Sequence, residues 1–119
     1  MIKGIGLDLI ELDRMNNVLN KNNRLVNRIL TQSEQKVFHE LKSDRRKVEY
    51  LAGRFSAKEA FSKATGDGIG KLSFQDIEVL TNKKGAPFIK ARGYCSEKIF
   101  VSITHSKEYA AAQVIIEEK

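Results

Sequence analysis

The residues best suited to chemistry in this chain are a carboxylate and a lysine in one helical segment. Glu59 and several cations alternate with large apolar side chains in the sequence RFSAKEAFSK, residues 54–63, and a glycine-rich loop follows. On a 3.6-residue period, Glu59 and Lys63 fall one turn apart between two apolar sectors, which predicts a helix packed on two sides. Charges held there need a partner, because burying a charge alone is costly. Either Glu59 and Lys63 pair with each other, or the partner is a metal ion or an anionic ligand. The same spacing is also common in solvated surface pairs.

A second carboxylate, Asp8, lies in a predicted N-terminal strand over residues 2–10. Asp8 shares one face of this strand with Gly4 and Gly6, while the other face is apolar. Glycines inside a strand often mark the close approach of a backbone or a ligand, so we expect Asp8 on a face cleared of side chains. A simpler role for Asp8, capping the next helix, is also open.

Asp8 and Glu59 together are suited to Mg²⁺, which usually takes one or two protein carboxylates and leaves its other positions to water and substrate phosphates. Lys63, one turn from Glu59, could contact the same phosphates as a point charge. His105, at the end of a predicted strand, can also hydrogen-bond phosphate, unless it is a structural histidine satisfied within the fold. These four residues are candidates for phosphate chemistry assisted by a divalent cation.

The length and composition of the chain predict one globular domain spanning residues 1–119. No stretch approaches the roughly 18 apolar residues that a membrane span needs, so we expect no membrane association. An acidic residue at position 8 comes too early for a signal peptide. The single cysteine, Cys95, allows no intrachain disulfide and is expected to be a buried thiol, which makes the cytoplasm the expected location.

The net charge of +6, from 21 basic and 15 acidic residues, favours an anionic partner. A nucleic acid, an acidic protein and a phosphate-rich small molecule all fit that charge. Nucleic acid is disfavoured because the sequence has no dense Lys/Arg tract, no Trp and no zinc-finger, RRM or KH signature. A P-loop is also absent, and a hydrolase triad of Ser102, His105 and Asp8 would lack a nucleophile elbow.

Periodicity and capping signals predict an α+β fold in which a single antiparallel sheet packs against a helical layer. Thr31 and Glu34 match a capping box, Ser43 or Asp44 caps a long helix, and Gly66 ends it. Gly53, near the middle of that helix, predicts a close helix crossing. The predicted helices cover residues 12–19, 24–30, 31–41 and 44–65. The predicted strands cover residues 2–10, 74–81, 87–90, 100–104 and 109–117. Turns are predicted at residues 20–23 and 82–85, and residues 92–98 are ambiguous, with a short helix as one interpretation.

Four basic residues would share one side of the first two helices if the helical phase is kept through the turn between them. Three of the four are arginines, which favour bidentate recognition of carboxylates or phosphates. This basic face is either a docking surface for an anionic partner or a solvated surface. It consists of Arg14, Lys21, Arg24 and Arg28.

Three segments resemble motifs of the holo-acyl-carrier-protein synthases, the small bacterial 4′-phosphopantetheinyl transferases. They are GLDLIE at residues 6–11, RFSAKEAFSK at 54–63 and SITH at 102–105, and the similarity covers essentially the whole chain. The middle segment fits the pattern W/F-S/A-x-K-E-A/S-x-x-K, which is specific when an early G-x-D accompanies it. The resemblance implies transfer of phosphopantetheine from coenzyme A to a serine hydroxyl of an apo-acyl carrier protein, in support of fatty acid biosynthesis. Adenosine 3′,5′-bisphosphate is the other product.

The resemblance also implies roles for individual residues. Asp8, Glu59 and Lys63 would be the catalytic residues. Asp8 and Glu59 would bind Mg²⁺ together with the pyrophosphate of coenzyme A, and Lys63 would contact the phosphates. His105 would bind a phosphate or ribose oxygen at the nucleotide end. The family further implies a homotrimer with active sites between subunits, in which His105 and Glu59 of one site come from different chains. Other contacts with coenzyme A are implied at Arg54, Gly66 and Pro87.

The carrier proteins that the family modifies are small and acidic, which suits the basic face. The chain departs from the family at Ala86, where a lysine usually precedes the proline, and Lys83 or Lys84 could substitute from the neighbouring turn. The general base is open: Glu59 could take the serine proton directly or through a metal-bound water. Two alternatives to the transferase are a basic module that binds nucleic acid without catalysis and a relative that binds nucleotide without reacting.

Overall fold

The structure, a computed structural model, describes residues 1–21, 24–68 and 72–119. Its helices and strands confirm the α+β class, and a short 3-10 helix at Phe74–Asp76 precedes β2. In chain order the elements are β1 (Ile2–Glu11), α1 (Leu12–Lys21), α2 (Arg24–Ile29), α3 (Gln32–Glu40), α4 (Asp44–Thr65), β2 (Ile77–Thr81), β3 (Pro87–Ala91), β4 (Glu97–His105) and β5 (Tyr109–Glu118).

The strands pair as two antiparallel sheets, where the sequence predicted a single one, because in the described part of the chain β2 and β3 pair only with each other. One sheet has the order β1-β5-β4, and the other consists of β2 and β3. In the larger sheet Gly6 lies opposite Val114, and Val114 lies opposite Val101. Because side chains alternate along a strand, the buried residues of β5 face α4, and the intervening ones form an outer face.

The long helix α4 is packed on two sides, as its sequence predicts. Its N-terminal half is buried against β1 and the first three helices, and its C-terminal half against both sheets. Each half of α4 contributes fully buried side chains to a separate hydrophobic cluster, for example Leu51 to the first and Phe61 to the second. The first cluster consists of Ile10, Leu12, Met15, Val26, Ile29, Leu30, Phe38, Val48, Leu51, Ala52 and Ala110, and the second of Ala57, Ala60, Phe61, Ala64, Leu72, Ile77, Val79, Ile89, Ala112, Val114 and Ile116.

The helix ends form where the capping signals predict them. The Thr31 backbone N–H donates to Glu34 Oε1 (2.7 Å), and the Glu34 N–H donates to Thr31 Oγ1 (3.4 Å), which completes the capping box of α3. Ser43 caps α4 by accepting from the Arg46 N–H (3.1 Å). Gly66 ends α4 in the left-handed conformation (φ 84°), which glycine adopts without a steric penalty.

Two glycines let β1 lie directly on α4. A Cβ atom built on Gly6 would overlap the carbonyl oxygen of Ala60, and one built on Gly4 would overlap that of Ala64. Of the two alternatives that the glycines left open, a backbone or a ligand, the structure shows a backbone at both positions. The contact brings Asp8, the next residue on the same strand face, beside the C-terminal half of α4.

Gly6→Ala should be strongly destabilising, because the new methyl group would meet backbone atoms that cannot rotate away. We expect a loss of about 3 kcal/mol or more in the free energy of unfolding, measured by urea denaturation. Gly53→Ala is the matched control: its Cβ would lie 3.1 Å from the side-chain Cγ2 of Ile103, which can shift. Its effect should stay within about 1 kcal/mol, since alanine also favours the helix. Equal losses for both variants would contradict the packing argument.

Several sequence predictions were wrong in detail. Gly53 marks no helix crossing, because it packs against Ile103 of β4. The predicted strand 74–81 begins as a 3-10 helix, since Asp76 accepts from the Ser73 N–H (3.0 Å) and closes a local turn. Residues 92–98 contain no helix: residues 92–96 form turns, and residues 97 and 98 already belong to β4.

Two further sequence predictions, for Cys95 and for the turn at residues 20–23, differ from the structure. Cys95 is exposed and not buried, because it lies in the turn before β4. The predicted turn at 20–23 does not begin at Asn20, since α1 continues through Lys21. The other two positions of that turn, 22 and 23, lie outside the described residues.

Candidate active site

Asp8, Glu59 and Lys63 meet where β1 crosses α4. The Lys63 ammonium donates to the Leu7 carbonyl oxygen (3.0 Å) and lies 3.3 Å from Asp8 Oδ1. Glu59 lies one turn earlier on the same helix, and its carboxyl group is near enough to Asp8 for the two charges to interact. The structure therefore brings together three candidates that are more than fifty residues apart in sequence.

The two carboxylates repel each other in a partly dry setting. Burial raises the pKa of Glu59 above its ordinary value, the charge of Asp8 raises it further, and the charge of Lys63 opposes both effects. Asp8 Oδ2 is buried and has no hydrogen-bond partner among the residues that the structure describes. A buried carboxylate oxygen without a partner is unfavourable unless a cation or another donor reaches it.

These residues fit a hard divalent cation. Asp8 and Glu59 supply carboxylate oxygens, the ligands that Mg²⁺ prefers, they line the same cavity, and Asp8 Oδ2 has no partner among the described residues. Among the residues in the described ranges, no group of three or more His, Cys, Asp or Glu side chains could hold a metal ion. A cation here would therefore have two protein carboxylates, with its remaining positions left to water or to a phosphate ligand.

A cavity of about 330 Å³ opens beside the two carboxylates. Asp8 and Glu59 form its polar side, and Arg14 lies at its edge. Its walls come from β1, α1, α2 and α4, so it can hold a largely apolar group next to the carboxylates. The apolar lining consists of Leu9, Ile10, Met15, Val18, Leu25, Ile29 and Phe55.

His105 lies elsewhere, near the N-terminal half of α4. Its Nδ1 is 3.6 Å from Glu49 Oε2, and its side chain is about half exposed. Glu49 and Glu59 are ten residues apart, or roughly 15 Å along the helix. Within one chain, His105 is therefore not part of the group formed by Asp8, Glu59 and Lys63.

Arg54 shares a small cleft with His105. The guanidinium lies over the ring of Tyr50, 4.2 Å from its centroid, and donates to Thr81 Oγ1 (3.2 Å). Thr81 lies opposite Pro87 in the register of β2 and β3, so these residues line the same end of the molecule. Arg54 Nε is buried without a hydrogen-bond partner in the described part of the chain, which leaves it a donor for an anionic ligand.

The comparisons with known proteins agree over nearly the whole chain. The profile of the 4′-phosphopantetheinyl transferase superfamily matches residues 4–114. The holo-[acyl-carrier-protein] synthase of Bacillus pumilus (strain SAFR-032) is 58% identical over 118 residues, which cover 98% of this chain and 97% of the relative.

This chain belongs to the holo-[acyl-carrier-protein] synthase family. The synthase of Oceanobacillus iheyensis is 54% identical over 119 residues, covering 100% of this chain and 99% of the relative. A crystal structure of a synthase from Bacillus anthracis str. Ames, in complex with CoA (3′,5′-ADP), covers 100% of this chain and 99% of that chain, with 47% identity and a TM-score of 0.92. The family resemblance and the fold class predicted from the sequence are thus confirmed.

The remaining positions that the family resemblance singles out lie around these two regions. The Gly66 N–H donates to the Lys63 carbonyl (3.1 Å), so Gly66 lies just beyond the phosphate-contact candidate. Ala86 lies in an exposed turn, where its N–H donates to Asn82 Oδ1 (3.0 Å). The residues of the basic face are all exposed on α1 and α2, and their shared side stays a prediction because the turn between the helices lies outside the described residues.

Sequence reasoning missed Lys58, which comes directly before Glu59. Its side chain is fully buried, and its ammonium pairs with the equally buried Glu34 carboxylate (Nζ to Oε1, 2.6 Å). One signal was available: Lys58 falls seven residues after the buried Leu51, on an apolar sector of α4. Its partner, however, is a capping-box glutamate on another helix, which local pattern does not predict.

Proposed function

We propose that this protein transfers the 4′-phosphopantetheine group from coenzyme A to a serine hydroxyl of apo-acyl carrier protein. The products are holo-acyl carrier protein and adenosine 3′,5′-bisphosphate, and the reaction serves fatty acid biosynthesis. The full-length similarity to proteins named holo-[acyl-carrier-protein] synthase carries the proposal. The likeness to a synthase crystallised with CoA (3′,5′-ADP) supports coenzyme A as the co-substrate.

In this proposal Asp8 and Glu59 hold Mg²⁺, which when bound neutralises charge on the pyrophosphate of coenzyme A. The Lys63 ammonium already lies at the Asp8 carboxylate, and from there it contacts the same phosphates. The serine hydroxyl of the carrier gives up its proton, for which Glu59 is the candidate acceptor, and its oxygen forms a new bond to phosphorus. The bond from that phosphorus to the bridging oxygen breaks, and this oxygen leaves with adenosine 3′,5′-bisphosphate. Catalysis then depends on charge neutralisation and on placing the serine in line.

The active protein is proposed to be a homotrimer with its active sites between subunits. Support comes from the outer face of the larger sheet, where Ile5, Leu7, Leu9 and Phe100 are 57%, 61%, 63% and 53% exposed. Such an apolar patch is unusual on a monomer. In the trimer, the residues around His105 in one protomer would bind the nucleotide end of a ligand held by the Asp8 group of its neighbour.

The carrier protein is proposed to dock on the basic face beside the cavity. Arg14→Glu or Arg28→Glu should raise the KM for the carrier about tenfold, because the new charge repels an acidic partner. The KM for coenzyme A should change by less than about twofold, since neither residue belongs to the proposed nucleotide end. Lys36→Glu, an exposed reversal on α3, is the matched control. A carrier KM unchanged in both arginine variants would remove this docking surface.

A cytoplasmic location is part of the proposal. No helix in the described ranges is long and apolar enough to cross a membrane. Cys95 is an exposed free thiol, and exposed thiols persist most readily in a reducing compartment.

The test of the proposed function is a transfer assay read by mass spectrometry. The protein is incubated with coenzyme A, Mg²⁺ and an apo-acyl carrier protein, and the carrier should gain one phosphopantetheine group. A carrier whose acceptor serine is replaced by alanine should gain nothing, and chelation of the metal should stop the reaction. No mass gain with any of several carriers would contradict the proposal and would leave a relative that binds nucleotide without catalysis.

A further inference from the structure

The short helix α2 contributes to two parts of the proposed site at once. Leu25 and Ile29 form part of the cavity wall beside Asp8 and Glu59. The same helix carries Arg28 of the basic face. With six residues, α2 is far too short to be stable on its own, so its position depends on contacts from other elements.

Side chains from outside α2 hold the carbonyl groups at its C-terminal end. Gln75 Nε2 donates to the carbonyls of Asn27 (2.9 Å), Arg28 (3.3 Å) and Leu30 (2.8 Å). The buried Lys58 ammonium donates to the carbonyl of Ile29 (2.6 Å). The last carbonyls of a helix have no partner within the helix. The Gln75 amide shares its two N–H groups among three of these carbonyls, Lys58 serves the fourth, and Gln35 Nε2 also donates to the Leu30 carbonyl (2.9 Å).

The lysine that reaches α2 is itself fixed from several directions. Lys58 Nζ also donates to Glu34 Oε1 (2.6 Å) and to the Phe74 carbonyl (3.1 Å), so all three of its protons have acceptors. Glu34 Oε2 accepts from the Val79 N–H (2.6 Å). Burial lowers the pKa of Lys58, and the nearby charge of Glu34 opposes that effect. This ion pair joins α2, α3, α4 and β2 at one point.

A purely stabilising role would not require these charges. Buried ion pairs often contribute no more to stability than apolar residues of the same size, because desolvation offsets their attraction. What an apolar pair could not supply is a directed donor to the Ile29 carbonyl. Lys58 also adjoins Glu59, so one turn of α4 holds both a candidate metal ligand and the anchor of α2.

We propose that Gln75 and the Lys58–Glu34 pair form a clamp that positions α2 for docking of the carrier protein. Through α2, this clamp sets the cavity wall and the arginines at a fixed distance from the carboxylates of the candidate metal site. The proposal rests on the proposed function, and it makes these three residues positioning residues, since they act on the carrier only through α2.

Gln75→Ala is the primary test, because Gln75 is exposed and its loss leaves the buried ion pair intact. Binding of apo-acyl carrier protein should weaken about threefold to tenfold, as expected for the loss of a few hydrogen bonds that order a surface. The KM for coenzyme A should change by less than about twofold. Amide hydrogen exchange in residues 24–29 should become faster, with no change in residues 55–64 of α4.

Arg92→Ala is the matched control. It removes an exposed ion pair with Asp76, on the same short 3-10 helix as Gln75, without touching α2 (Arg92 Nε to Asp76 Oδ1, 3.3 Å). Carrier binding and exchange in residues 24–29 should both stay at the wild-type level. A change in this control equal to that in Gln75→Ala would overturn the proposal, because it would show a general effect of loosening the 3-10 helix.

A second variant tests the buried half of the clamp. Lys58→Met alone would leave the Glu34 carboxylate buried without its cation, so it is combined with Glu34→Gln, which removes the charge and keeps one of the two oxygens that accept from the Thr31 and Val79 N–H groups. Circular dichroism and a thermal melt verify that the double variant folds. It should show the same pattern as Gln75→Ala: weaker carrier binding, faster exchange in α2 and an unchanged KM for coenzyme A.

Two results separate this proposal from the function on which it rests. If the wild type binds and modifies the carrier and Gln75→Ala binds it equally well, the clamp is overturned while the transferase stands. If the wild type neither binds nor modifies any carrier protein, the proposed function fails and the clamp proposal fails with it.

Discussion

Asp8→Asn and Glu59→Gln should each reduce phosphopantetheine transfer by about a thousandfold. Each change removes one negative charge from a site that has two carboxylates to offer a cation, and it keeps the shape of the side chain. The buried, unpartnered Oδ2 of Asp8 makes that position the more sensitive of the two. The fold should be retained, since both variants relieve the repulsion that raises the pKa of Glu59.

The direct measurement is Mn²⁺ binding by electron paramagnetic resonance, alongside the transfer assay. Both variants should lose most of their Mn²⁺ affinity, so the loss of activity can be assigned to the metal. Glu40→Gln, which removes an exposed carboxylate from α3, should change neither quantity. Two variants that stay active, or that bind Mn²⁺ as the wild type does, would show that the cation is held elsewhere.

Leu7→Glu should have the second large effect, by dissociating the proposed trimer. Leu7 lies between Ile5 and Leu9 on β1, and Ile5, Ile115 and Phe100 form a row across the three strands. A glutamate in this apolar face would have to be buried without a partner in any assembly that covers it. Light scattering should therefore give the mass of a monomer, and activity should fall by about a hundredfold or more because each site of the proposed trimer needs two subunits.

Val37→Glu is the control for this change. Val37 is another exposed apolar residue, but it lies on α3, away from the outer face of the sheet. This variant should keep the mass and activity of the wild type. A monomeric wild type, or a Leu7→Glu variant that keeps both oligomeric mass and activity, would contradict the trimer.

The parts of the fold that sequence predicts are those set by local signals. Thr31 with Glu34, Ser43 and Gly66 fix helix ends because each satisfies backbone groups within a few residues of itself. Gly4 and Gly6 predicted a close approach to the strand face that carries Asp8, because glycines inside a strand often make room for another group. The candidate site is therefore largely visible in the sequence.

Two of the errors, at Lys58 and Gly53, fall where contacts between distant residues decide the structure. Lys58 looked like one of several helical cations, because its partner Glu34 is 24 residues away and had already been assigned to a cap. Gly53 suggested a second helix, but a strand from the far end of the chain occupies that space. Periodicity shows that one face of β1 is apolar, but it does not show that this face is the outer one or how far His105 lies from Glu59, since both depend on which strands pair.

The glycine contact between β1 and α4 has a consequence for engineering the ion preference of the site. At Gly4 and Gly6 no side chain separates the strand from the backbone of the helix, so no rotamer change at these two positions can alter the spacing of the two backbones that carry Asp8 and Glu59. The spacing between the backbone of the strand and that of the helix is therefore fixed at this crossing. Adapting the site to a larger ion would therefore mean altering the reach of the acids themselves, by exchanging aspartate for glutamate or the reverse, and leaving the backbone beneath them untouched.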